Sequence, residues 1–145
     1  MNTNRALIER CMEAINRHDA AAAADLVTED FINHAAIPEA QGRAGMVSIW
    51  EKLWTAFPDL THTCEDIVVD SDRVACRLRV RGTNSGPLRF TRMPLPATGK
   101  TMDTEAIHIF RVADGRLAEM WAQRDELGML RQLGHFTLQS RVPAA

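Results

Sequence analysis

His108 lies in the run 104–134, TEAIHIFRVADGRLAEMWAQRDELGMLRQLG, which also holds Gln123, Arg124 and Asp125. An imidazole ordinarily titrates near neutral pH, which suits proton transfer or polarisation of a carbonyl oxygen. Strand alternation puts Ala106, His108 and Phe110 on one face and Ile107, Ile109 and Arg111 on the other. Both faces are partly apolar, so alternation leaves open which one lines a cavity. A histidine simply bonded to a neighbour would read the same way. Asp125 has two readings. It is a candidate acid/base, and it is also a fitting N-cap for the helical turn LGMLRQLG. Arg124 shares a face with Met120 and Ala122, while Trp121 and Gln123 take the other. Arg124 could hold an anionic substrate or form an ordinary ion pair with Glu105 or Asp66.

Other polar groups lie earlier in the chain. Asn33 and His34 fall where an irregular segment or short strand meets the helices. The Asn33 amide can donate to a carbonyl or enolate oxygen, or the side chain can close an Asx-turn. His34, His62 and His108 show no His-x-His or HExxH spacing, so no metal site is expected. Asp59 and Asp66 with Arg79 or Arg81 resemble the Asp-Arg-Asp set with which a related fold hydrolyses epoxides, two carboxylates activating water and the arginine fixing them. Cross-strand charge pairs explain the same residues. Met46, Trp50, Leu53, Trp54 and Phe57 form a stripe at helical spacing, the pattern of a core face that can double as a pocket wall.

The elements that must position these groups follow from periodicity. Leu7, Ile8, Cys11, Met12 and Ile15 predict a helix over 4–17. Asp19 caps a short second helix through AAAAADLV. A third helix runs over about 44–57, and Pro58 stops it. The second half is β-rich. CEDIVVD and RVACRLRVRG flank Asp70-Ser71-Asp72, and TMDTEAIHIFRV and RLAEMWAQRDE flank Ala113-Asp114-Gly115, a hairpin turn with Asp-Gly chemistry. Residues 87–100 carry three prolines and read as a long loop, either a lid or an oligomer contact. Helices followed by antiparallel strands make an α+β domain, with a cavity between the sheet's concave face and the helices.

Composition narrows the function classes. The chain has 145 residues, a length that suits one domain spanning 1–145, with a fraying tail at about 136–145. Net charge is −2 and lysine is confined to Lys52 and Lys100, so no basic face argues for nucleic acid. The cysteines Cys11, Cys64 and Cys76 are widely spaced and odd in number, which suggests neither a disulfide framework nor structural zinc. A reducing cytoplasm is the expectation. The charged start does not read as a signal peptide, and no run is long and apolar enough to span a membrane.

Several segments, taken in order, resemble the SnoaL-like polyketide cyclases within the nuclear-transport-factor-2-like fold. They are FINHA at 31–35, AFPDL at 56–60, RGTNSG at 81–86, ATGK at 97–100, HIFRVADGRLAEMW at 108–121 and D-x-L-G-x-L-R-Q-L-G at 125–134. The resemblance implies a cone-shaped, strongly curved antiparallel sheet with three N-terminal helices enclosing a pocket. It also implies a homodimer or higher homo-oligomer and cofactor-free chemistry on a hydrophobic, carbonyl-containing small molecule. It favours the His108 face as the pocket side and matches Asn33 to the family's pocket amide. In those cyclases an aspartate directly follows the last-strand Trp as acid/base; here Trp121 is followed by Ala122. The expected catalytic set is therefore His108, Asn33 and Asp125. His34, Trp50, Trp54, Phe57, Phe110, Met120, Ala122 and Arg124 are the expected substrate-binding residues. The expected chemistry is aldol cyclisation, isomerisation or hydrolysis. The alternative is a non-catalytic small-molecule-binding or interaction module on the same fold.

Overall fold

The computed structural model describes residues 2–89 and 94–137. Helix α1 (Thr3–Asn16) begins at Asn2, whose side chain accepts from the amides of Asn4 and Arg5. Asp19 caps α2 (Ala20–Asp25) through the Ala22 amide at 2.9 Å. Strand β1 (Val27–Asn33) follows, then a 3-10 turn at Pro38–Ala40 and helix α3 (Gly42–Ala56). The remaining strands are β2 (Thr61–Asp70), β3 (Arg73–Thr83), β4 (Thr101–Ala113) and β5 (Arg116–Arg124). Helix α4 (Glu126–Gln132) closes the described part. Among the described residues no helix is long and apolar enough to cross a membrane.

The sheet order is β1-β5-β4-β3-β2. It is curved and unclosed, with β1 and β2 as its edges. Strands β2 to β5 pair antiparallel, with tight turns joining β2 to β3 and β4 to β5 and a long loop joining β3 to β4. Ser71, Asp114 and Gly115 take the positive φ of such tight turns. The segment read as irregular or a short strand is a full edge strand, and it runs parallel to β5. The sheet is therefore mixed rather than wholly antiparallel. Two consecutive hairpins fix the antiparallel part locally, whereas β1 reaches β5 from across the domain and carries no hairpin signature.

The core divides in two. The larger cluster lies between the sheet's inner face and the helices, with Leu7, Ile8 and Cys11 of α1, Met46 and Trp50 of α3, and Val74, Cys76, Leu78, Phe110 and Met120 of the strands. The smaller one joins Ala56, Phe57, Leu60, Leu88, Met102 and Leu133. Phe57, placed by helical spacing on the Trp50 stripe, is the C-cap of α3 and belongs to this second cluster. The segments RGTNSG and ATGK meet at Asn84, which is fully buried. Its backbone bonds Lys100 and Gly99, and its side chain accepts from the Thr98 amide and donates to the Gly86 carbonyl. One satisfied amide thus ties both ends of the long loop to the sheet. That loop is pinched by a two-way backbone pairing of Leu88 with Leu95, and 90–93 lie outside the described residues. The tail from 138 also lies outside them.

Candidate active site on the inner face of the sheet

Cross-strand register decides which side chains share a face. Cys76, His108 and Ala122 are successive partners across β3, β4 and β5. Cys76 and His108 are both buried, so this row points inward. The next row toward the hairpin end is Val74, Phe110, Met120 and Asn33. On the other side lie Cys64, Leu78, Ala106 and Arg124. His108, Asn33, Phe110, Met120, Ala122 and Arg124 are thereby gathered on one inner face, opposite Trp50 and Trp54 of α3.

Sequence alternation did not reveal one member of this face, His62. Reading outward from Ile67 by twos would send His62 and Cys64 to the solvent side. A bulge between Cys64 and Asp66 inserts one residue and turns both inward. A register shift near Glu119 likewise sets the inward phase of Met120, Ala122 and Arg124.

His108 is 8% exposed and its Nε2 has no hydrogen-bond partner. The Nδ1 of His62 and the Nε1 of Trp54 are also buried without partners. Burial depresses His108 to about 3, helped by the charges of Arg124 and His62. His62 falls to about 4, by burial and then by Arg124. Both rings are neutral at pH 7, so each offers one N–H donor and one lone pair. A neutral imidazole with so low a pKa is a weak base but a serviceable donor to a developing oxyanion. Around these rings Thr104, Ala122, Leu53 and Trp54 are only half-buried, so solvent reaches this part of the inner face.

Asn33 is buried and its carbonyl groups are already used. Oδ1 accepts from the Ala35 amide at 2.9 Å, which is the Asx-turn, and Gln41 bonds both its backbone N–H and C=O at 2.8 Å. Its Nδ2 meets the Met46 thioether at 3.5 Å, a weak acceptor. That amide is the part of Asn33 left to serve a ligand.

Three expected residues stand elsewhere, the first being Phe57, which packs in the second core cluster because α3 ends before it. His34 is on the outer face, stacked on Trp121 at 4.8 Å and bonded to Glu119 at 2.8 Å. Arg111 and then His34 hold the Glu119 carboxyl below its ordinary range. His34 therefore joins neither a substrate-lining set nor a cluster with His62 and His108. Asp125 caps α4 and accepts from the Gly128 amide at 2.8 Å. Its carboxylate is spent on the helix, not on the His108 row. Asp125→Ala is expected to lower stability by about 1 kcal/mol while leaving any ligand affinity unchanged, read by thermal melting beside a binding titration. The arginines considered for water activation are outward too. Arg77 bridges Glu65, Asp66 and Glu105, and Arg79 and Arg81 pair with Asp103, a cross-strand surface network.

Two depressions lie away from His108. One of about 440 Å³ lies along α1 beside Cys64, and one of about 610 Å³ lies on the outer face around Val68, Arg73, Ile109 and Trp121.

The comparisons agree with this fold. The chain belongs to the SnoaL-like polyketide cyclase family, which it matches over residues 5–133. It is similar to aklanonic acid methyl ester cyclase DnrD of Streptomyces peucetius, 30% identical over 139 residues with 92% of each chain covered. It is 29% identical over 133 residues to aklanonic acid methyl ester cyclase DauD of Streptomyces sp. (strain C5), covering 88% of this chain and 80% of the relative. Among solved structures it resembles TsrD from Streptomyces laurentii, at 27% identity and TM-score 0.83 over 92% of this chain and 96% of that one. It also resembles wild-type IdmH from Streptomyces antibioticus, at 31% identity and TM-score 0.76 over 92% and 99%.

Proposed function

We propose that this chain is a cofactor-independent enzyme acting on a hydrophobic, carbonyl-containing small molecule bound against the sheet's inner face. The observation that carries the proposal is the buried, unpartnered Nε2 of His108 beside Ala122. A buried polar atom without a partner is costly, and a ligand oxygen placed there would satisfy it. In the neutral ring, with its proton on Nε2, His108 donates to the carbonyl and follows it as it becomes an enolate. The Asn33 amide is the second donor. A C–H flanked by carbonyls is already acidic and gives its proton to water on the solvent-reached part of this face, while two donors hold the oxygen and an apolar, fitted surface orients the bound molecule. Phe110, Met120, Trp50 and Trp54 form that surface. Aldol-type ring closure is the leading reaction, with isomerisation through the same enolate, and hydrolysis through a tetrahedral oxyanion held by the same donors, as variants.

Ala122 favours one competing reading, a protein that binds such a molecule without turning it over. Incubation with aklanonic acid methyl ester and simpler aromatic β-keto esters separates the two. Consumption of at least one ester by the wild-type protein is expected. Turnover that appears only in Ala122→Asp, with binding intact in the wild type, would leave the binding module standing and end the enzymatic reading. A second copy of the chain has a suitable seat on the outer face, where Val68, Ile107 and Ile109 stand exposed next to Trp121. That face is the one proposed for the homo-oligomer.

A further inference from the structure

The inner face carries a charge without a counter-charge. Arg124 ends the row Cys64–Leu78–Ala106, so its side chain projects along the same face as His108 and His62. Solvent still reaches it, which places it at the rim. Its charge is felt by both imidazoles. Among the described residues it makes no ion pair, whereas Arg77, Arg79, Arg81 and Arg111 on the outer face are all paired. The carboxylate nearest in effect is Glu126, which lies in the first turn of α4 and is exposed. The inward rows of β2 to β5 hold no aspartate or glutamate. His108, more than nine-tenths buried, turns an unpartnered nitrogen into the same space, and the buried Nδ1 of His62 is likewise free.

An arginine with two neutral imidazoles behind it and no acid in front is a receptor for a planar anion. The guanidinium fork takes a carboxylate through two parallel bonds, and an imidazole N–H supplies a third. We infer that Arg124 and His62 form a subsite for a carboxylate at the polar end of an otherwise apolar ligand, next to the His108 nitrogen that takes the reacting carbonyl oxygen. This rests on the ligand site proposed above and adds to it the chemical class of the ligand, a free acid. The apolar remainder lies inward, over Ala122 and toward Phe110 and Trp54.

The test uses 2-naphthoic acid and methyl 2-naphthoate as probes, titrated at pH 7.5 into the full chain and into Arg124→Gln and Arg124→Lys. Thermal melts confirm that both variants fold. The wild type is expected to bind the acid at least about tenfold more tightly than the ester, the worth of one charge-assisted contact. Arg124→Gln should erase that preference, acid affinity falling to the level of the ester's, and Arg124→Lys should retain part of it. Ester binding with no preference for the acid in the wild type overturns the carboxylate subsite and leaves the ligand site standing. A preference that survives in Arg124→Gln also overturns it. Binding of neither probe by the wild type removes the ligand site and the subsite together.

Discussion

Replacing His108 by leucine is expected to make the protein more stable and to remove its activity. The wild-type ring keeps an unpartnered nitrogen in a buried place between Cys76 and Ala122. Leaving such a group unsatisfied costs about 1–3 kcal/mol, and a leucine of similar bulk carries no polar atom to strand. A gain near 1 kcal/mol is expected, a rise of about 2–4 °C in Tm for a domain of this size. Losing one preorganised donor to a developing oxyanion costs about a hundred- to a thousandfold in kcat. Opposite signs for stability and turnover are the mark of a residue kept for function. A purely structural histidine would lose stability on the same change. Melting curves and single-turnover assays on one preparation distinguish the two.

Mild acid should destabilise the fold, and the imidazoles of His108 and His62 should account for most of the loss. In the unfolded chain a histidine titrates near 6.5. In the folded chain His108 waits until about 3 and His62 until about 4. Between those values the unfolded state binds protons that the native state refuses, so stability falls as pH drops below about 6.5. Above pH 6.5 both states hold neutral rings and the contribution is flat. Linkage puts the loss from pH 7 to pH 5 at about 2 kcal/mol for each ring, a window still above the ordinary carboxylate range. Chemical denaturation at the two pH values measures it. His108→Leu should remove about half of the acid sensitivity. An unchanged pH slope would mean that the ring is not buried in solution.

The parts of this fold that sequence reveals are those fixed locally. Asp19 ahead of an alanine run, Pro58 after the Trp stripe and Asp114-Gly115 between two β-rich runs each act through the neighbouring backbone. They placed α2, the end of α3 and the last hairpin. The inward phase of β4 and the pairing of His108 with Ala122 follow from that hairpin. What escaped depends on contacts distant in sequence or on a broken period. The parallel docking of β1 on β5 joins segments about ninety residues apart, with no turn to announce it. The bulge after Cys64 reverses the alternation and hides His62, for which no residue-type signal exists. Asn84 reads as a loop break, yet it is the buried tie between two loop segments. Phe57 leaves the Trp50 stripe because the helix ends one residue before it. Asp125 reads from the sequence as an acid/base or as a helix cap, and its side chain caps α4.

A long-range proton–nitrogen correlation spectrum of histidine-labelled protein, recorded from pH 7 to pH 5 with and without 2-naphthoic acid, reaches the imidazole of residue 108 itself. Nitrogen shifts of a neutral ring across the whole range, moving when the ligand is added, are the expected result. A ring that titrates as an ordinary histidine near 6.5 and ignores the ligand would contradict the inward, oxygen-binding role given to it.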